Sequence, residues 1–85
     1  MKFRVVFDTA ARKQFLRLDR PVQIRLLPHI QALADNSRPP GVVKMAGEEN
    51  QWRIRVGDWR IIYSIFDREL VVLVVKVGHR REIYR

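Results

Sequence analysis

Gln51-Trp52-Arg53-Ile54-Arg55-Val56-Gly57-Asp58-Trp59-Arg60-Ile61-Ile62-Tyr63 carries the clearest structural signal in the chain, because its hydrophobic period is two. Trp52, Ile54 and Val56 alternate with Arg53 and Arg55, the pattern of a strand with one dry and one wet face. Gly57-Asp58 supplies a two-residue turn of the Gly-first hairpin type, which folds the chain back on itself. That turn sets a register in which Val56 faces Trp59, Arg55 faces Arg60 and Ile54 faces Ile61. Three guanidinium groups, those of Arg53, Arg55 and Arg60, then leave one face of the hairpin, two of them directly opposed. Like charges opposed across a sheet are destabilising, so a bound anion or a carboxylate from elsewhere would relieve the pair. The alternative is that both arginines snorkel over apolar neighbours into water. Trp52 and Trp59 have the opposite parity and are assigned to the helix-packed side.

Working outward, Trp59–Phe66 reads as the second strand, Asp67-Arg68-Glu69 as a turn, and Leu70–Val77 as a strand apolar on both faces. Gly78 then releases the chain into His79-Arg80-Arg81-Glu82-Ile83-Tyr84-Arg85. Towards the N-terminus, Asn36-Ser37-Arg38-Pro39-Pro40-Gly41 is a helix stop and loop, residues 42–45 are readable as extended, and Gly47–Asn50 is a polar turn. Lys2–Phe7 is a first strand, after which Asp8 or Thr9 caps a helix carrying Ala11, Phe15 and Leu18 at helical spacing. Asp19-Arg20-Pro21 restarts a second helix whose stripe is Val22, Leu26, Ile30 and Leu33, with a kink or break expected near Pro28. The expected fold is α+β, in the order β-α-α-β-β-β. Two N-terminal helices pack on a mainly antiparallel four-stranded sheet, in a single domain over residues 1–85.

The 85 residues, 47% apolar and 31% charged, suffice for one small core and argue against disorder. The absence of cysteine excludes a disulfide scaffold, a thiolate metal site and a cysteine nucleophile. The longest apolar runs are strand-sized, and Val5-Val6-Phe7 is too short for a signal-peptide core, so a cytoplasmic protein with no membrane partner is expected. The net charge of +8 is spread evenly, with residues 1–50 and 51–85 each contributing +4. Thirteen Arg against four Lys favour bidentate contact with phosphate, so a polyanionic partner is expected over a merely solubilising surface. No Gly-rich phosphate loop is present, and no carboxylate pair is placed for glycoside or two-metal chemistry. His29 and His79 lack a third ligand nearby, so neither a metal nor a cofactor is expected. Metal-free chemistry on RNA remains, because RNA carries its own nucleophile, the 2′-hydroxyl. A protein then has only to orient that group, stabilise the crowded phosphorane and see the departing 5′-oxygen protonated.

Arg53-Ile-Arg-Val-Gly-Asp-Trp-Arg-Ile-Ile-Tyr63, Val75-Lys-Val-Gly-His-Arg-Arg-Glu-Ile-Tyr84 and the Arg38–Lys44 loop together resemble the RelE family of toxin–antitoxin ribonucleases, over essentially the whole chain. The resemblance implies a toxin that enters the ribosomal A site and cuts mRNA there, inhibiting translation. It also implies a RelB-like acidic antitoxin that wraps the toxin in a hetero-oligomer. By position, Arg53 and Arg55 match the family's basic pair on the first hairpin strand, and Arg60 matches its phosphate-binding arginine. Arg80 matches the arginine that supports transition-state charge or acid chemistry, and Tyr84 the C-terminal tyrosine that stacks on, or orients, the substrate base. Arg38, Lys44 and Arg81 are assigned to backbone phosphate contact. The chain departs from well-studied members in having arginine where they carry lysine, at Arg53 and Arg55. Arginine does not give up its proton at neutral pH, so the general base is left open. His79 or a ribosomal group takes that role, or catalysis is mostly electrostatic and His79 is a solvated turn residue. Two other classes stand beside this one: a ParE-type DNA gyrase poison from the same superfamily, whose members lack the full basic set, and a basic RNA-binding module without chemistry.

Overall fold

The computed structural model describes residues 2–83. Along them run β1 (Arg4–Phe7), α1 (Thr9–Leu16), α2 (Arg20–Ala32), β2 (Val43–Lys44), β3 (Trp52–Val56), β4 (Trp59–Phe66) and β5 (Val71–His79). The five strands form one sheet in the order β1-β5-β4-β3-β2, with β1 parallel to β5 and every other pairing antiparallel. The α+β class and the mainly antiparallel sheet are those expected from the sequence. The sheet has five strands where four were expected, because the extended Val43-Lys44 pairs with Arg53 and Trp52 as a short edge strand. The central hairpin has the expected register: Val56 pairs with Trp59, Arg55 with Arg60 and Ile54 with Ile61. Gly57 alone of the two turn residues has a positive φ, +60°, as a Gly-first turn requires.

Asp8 opens α1 as its N-cap, its Oδ1 accepting the Ala11 N–H at 2.8 Å. Asp19 holds the N-cap position of α2 but makes no side-chain cap bond, and Pro21 occupies the first turn. α2 is not broken at Pro28. Ile24, whose carbonyl loses its partner to the proline, lies on the outward face at 61% exposure, where water can reach it. The inward stripe, Leu26 and Ile30 with Leu33 just beyond, meets Ala11 of α1 and Ile54, Val56, Ile61, Tyr63, Ile65, Val72, Val74 and Val77 of the sheet. Trp52 and Trp59 pack against this same cluster, as their parity requires. Full burial of each Leu, Ile or Val contributes about 1.5–3 kcal/mol, so this single layer supplies most of the fold's stability.

β5 contains an irregularity: Ile62 pairs with Lys76 but Tyr63 with Val74, leaving Val75 as the extra residue. As a result Val74 and Val77, three apart, both face the core. β1 ends at Phe7 opposite Val74, so the far edge of β5 runs on without a strand beside it. Gln14 of α1 covers that edge, its Oε1 accepting the Val77 N–H at 2.9 Å. β5 begins at Val71 rather than Leu70 because Leu70 turns the chain at φ +54°. Asn50 closes the other end of the hairpin. Its amide donates to the Ile65 carbonyl at 2.7 Å, while its Oδ1 accepts from Ile65 N at 3.2 Å and from Trp52 Nε1 at 3.3 Å. Among the described residues no helix is long and apolar enough to cross a membrane.

Two stability predictions follow from this packing. Tyr63 is fully buried and its hydroxyl donates to the Ser37 carbonyl at 2.8 Å, tying the loop after α2 to the sheet. Tyr63→Phe is expected to cost about 1–2 kcal/mol in chemical denaturation, because it leaves a carbonyl unpaired. Burial pushes the phenol up to about 12, against the pull of the nearby Arg38. Its contribution is therefore complete below the unfolded value near 10 and is lost as pH rises through 12. The wild type is expected to lose stability over that alkaline range, and Tyr63→Phe to flatten the loss. For the opposed pair, Arg55→Ala is expected to leave the melting temperature unchanged or raise it by a few degrees, by removing like-charge repulsion. A clear fall on thermal melting would show the pair to be stabilising instead.

Candidate functional site

The helices cover one face of the sheet, and the other face carries the arginines. Residue parity puts Val43 of β2, Arg53 and Arg55 of β3 and Arg60 of β4 on that open face, in adjacent rows. Gly78 of β5 stands opposite Arg60 and contributes no side chain. Past the end of β5, residues 79–83 form a turn in which Glu82 N–H and Ile83 N–H both bond the His79 carbonyl, at 2.9 and 3.0 Å. The Ile83 side chain packs against Gly78, with its Cβ 3.8 Å from where a glycine Cβ would stand, which folds the turn back over the sheet. Arg80 and Arg81 thereby join Arg53, Arg55 and Arg60 around a cavity of about 660 Å³, whose remaining wall among the described residues is Pro40, Gly41 and Val43.

The Gly57-Asp58 turn organises the cationic side of this cavity. Arg60 Nη1 donates to the Gly57 and Trp59 carbonyls at 2.9 and 3.0 Å, which orients its guanidinium along the turn. The Arg80 N–H bonds the Asp58 carbonyl at 2.8 Å, and the Asp58 carboxylate lies 3.6 Å from Arg80 Nε. Both side chains are more than half exposed, so the ion pair adds little stability, but with the backbone bond it fixes where Arg80 points. Arg25 of α2 lies against the same turn, where a Cβ on Gly57 would overlap its guanidinium. Glycine is favoured there by its positive φ, whereas the exposed Arg25 side chain can swing aside.

Five of the candidate residues, Arg53, Arg55, Arg60, Arg80 and Arg81, converge on the cavity. Three others lie elsewhere. His79 falls on the helix side of β5, because Gly78 holds the arginine-face position opposite Arg60 and the next residue points the other way. Its ring meets Trp59 edge-on at 5.4 Å and its Nδ1 accepts the Arg81 N–H at 3.2 Å. Lys44 pairs with Trp52 and so has the parity opposite to Arg53, with its Nζ 5.8 Å from the indole centroid. Arg38 lies 4.9 Å from the same indole and binds both Asp67 oxygens, at 3.2 and 3.1 Å, holding the Asp67 carboxyl below its usual range. Arg38 and Lys44 therefore flank Trp52 instead of lining the cavity. Tyr84 lies outside the described residues. The residues that sequence reasoning missed are Asp58, read only as a turn former, and Pro40, Gly41 and Val43. Only the register of β5, with its extra residue, could have brought Asp58 to Arg80.

What this arrangement can do is bind an anion. Five guanidinium groups around one open cavity concentrate positive charge, and a phosphodiester placed among them offsets part of it while accepting their planar donor forks. Among the described residues no three His, Cys, Asp or Glu side chains come together to hold a metal ion.

Comparison with known proteins places this architecture in a family. The family model for the ParE toxin of the type II toxin–antitoxin system parDE matches residues 5–84. Toxin RelG of Mycobacterium tuberculosis (strain ATCC 25618 / H37Rv) is 33% identical, with 100% of this chain and 99% of that protein covered. A putative RelE-like toxin protein of Escherichia coli is 29% identical, over 94% of this chain and 85% of its own length. Among solved structures, the archaeal RelE–RelB complex from Pyrococcus horikoshii OT3 matches with a TM-score of 0.81 at 26% identity, covering 96% of this chain and 99% of the matched one. The family match over residues 5–84, the relatives and the likeness in fold establish that the chain belongs to the ParE toxin family of type II toxin–antitoxin systems, as a RelE-type toxin of the RelE/ParE superfamily.

Proposed function

We propose that this toxin is a ribosome-dependent endoribonuclease that cleaves mRNA in the A site and so arrests translation in the cytoplasm. The observation that supports this reading is the convergence of Arg53, Arg55, Arg60, Arg80 and Arg81 on one cavity of the open sheet face. The RNA 2′-oxygen attacks the adjoining phosphorus and loses its proton. The bond to the 5′-oxygen breaks, and that oxygen gains a proton, leaving a 2′,3′-cyclic phosphate and a 5′-hydroxyl. Arg60 and Arg80, each held by the Gly57-Asp58 turn, stabilise the charge that builds on the equatorial oxygens. Arg53 and Arg55 neutralise the flanking backbone, and Arg81 guides the strand in from the cavity's edge. His79 points away from the cavity, so we assign proton removal to a group of the ribosome or to water. Tyr84 stays in this reading as the base-stacking residue that the family resemblance implies.

The RelE of Pyrococcus horikoshii was solved in complex with RelB. We propose a RelB-like antitoxin for this chain too, an acidic one matched to its net charge of +8. A second reading, poisoning of DNA gyrase without RNA cleavage, is favoured by the ParE description of the matching family model.

Induction of the chain, followed by mapping of mRNA ends in cells and in a purified translation system, separates the two. Cuts inside codons that need ribosomes are expected, whereas persistent DNA breaks with intact mRNA would establish the gyrase reading. Arg60→Ala and Arg80→Ala are each expected to slow cutting by about 10²–10³ while leaving the melting temperature nearly unchanged. Cutting at the parent rate by either variant would remove that residue from the site. Asp58→Ala is expected to slow cutting by about tenfold through misplacement of Arg80. In an Arg80→Ala background the same change is expected to have no further effect, and additive losses would show that Asp58 acts independently of Arg80.

A further inference from the structure

The cavity has two chemically different walls. The arginines hold one side, and the described residues of the other, Pro40, Gly41 and Val43, carry no charge and no side-chain polar atom. Val43 is 44% exposed, and its position on a two-residue edge strand, paired with Arg53, turns it to the arginine face. Gly41, at φ +87°, leaves open space on that wall, with nothing within 4 Å of where a Cβ would stand. Strands lie about 4.8 Å apart, so Val43 stands one row from Arg53 and Arg55 and two rows, about 10 Å, from Arg60. A flat, neutral, apolar-faced group joined to a phosphate fits this spacing, with the phosphate over the arginine rows and its neighbour against Val43.

Resting on the nuclease reading, we infer that Val43 and Pro40 form the seat of a nucleobase next to the phosphate held by the arginines. Among the described residues, this wall adds a base contact to the phosphate clamp of the arginines. A uniformly cationic cavity would bind any polyanion, whereas this one distinguishes a nucleotide from its backbone alone.

The test uses the full chain and three probes, a short single-stranded RNA, the same RNA with the base removed at the central nucleotide, and inorganic tripolyphosphate. Val43→Asn is expected to weaken binding of the intact RNA about fivefold, the scale of one lost apolar side-chain contact, and to leave tripolyphosphate affinity unchanged. Val43→Ile is expected to retain both affinities, and the abasic RNA to be insensitive to Val43→Asn. Equal effects of Val43→Asn on intact RNA and tripolyphosphate, or none on either, would overturn the base seat. So would wild-type binding of intact and abasic RNA with equal affinity, although the arginine site would then stand. Failure of the wild type to bind any of the three probes would instead bring down the nuclease reading itself.

Discussion

The two-residue turn at Gly57-Asp58 is the constraint on which the rest of the molecule depends. It puts Arg55 opposite Arg60, and the same register sends Ile54 and Ile61 to the helix side. A slip of one residue would exchange the two faces, burying guanidinium groups and exposing the core. The turn then does a second job with its backbone, since the Gly57 carbonyl holds Arg60 and the Asp58 carbonyl holds Arg80. One short segment therefore defines both which face is cationic and where two of its charges point. The positive φ of the first turn residue, +60°, explains why glycine stands there.

Stability and binding are divided between the two faces of one sheet. The helix side contributes nearly all the buried apolar side chains, and the open side accepts the cost of opposed like charges. This division works only because the open face needs little from packing. Ile62, fully buried in the row between Arg53 and Lys76, is its main apolar anchor. The extra residue in β5 serves the same division, turning Val77 inward while placing Gly78 on the arginine face. Ile83 packs beside Gly78 as the C-terminal turn folds back, and Arg80 and Arg81 of that turn line the cavity.

How much of this is legible in the sequence depends on whether local chemistry or distant pairing sets each residue's position. Arg53, Arg55 and Arg60 are readable because a two-residue turn dictates their register within ten residues. The tryptophans follow from the same parity. His79 is not readable in this way, because its facing depends on an irregular pairing between β4 and β5 that no local pattern in Leu70–Val77 reveals. Lys44 is lost for a similar reason. Its side follows from the pairing of a two-residue strand, too short for alternation to show. Pro28 misleads in the other direction, since a local rule that breaks buried helices is relaxed where the freed Ile24 carbonyl faces water.

The composition of the cavity has a consequence for how the proposed reaction is controlled. Guanidinium groups stabilise a phosphorane well but accept no proton, and the one histidine on this strand faces the opposite side. Under the nuclease reading, the described residues are then half of a catalyst, complementary to the charge of the transition state but without a side-chain base at the cavity to generate the nucleophile. The toxin's activity then depends on another macromolecule to bend the RNA into line, with a group of that macromolecule or water taking the proton. Such a division favours a toxin that must coexist with the cell's free RNA, because binding alone, however tight, lowers no barrier unless it strengthens in the transition state. For the same reason arginine can stand at Arg53 and Arg55, where the family resemblance implies lysine. Where the proton is handled outside the toxin, a permanently charged fork that holds phosphate bidentately serves better than a group able to lose its charge.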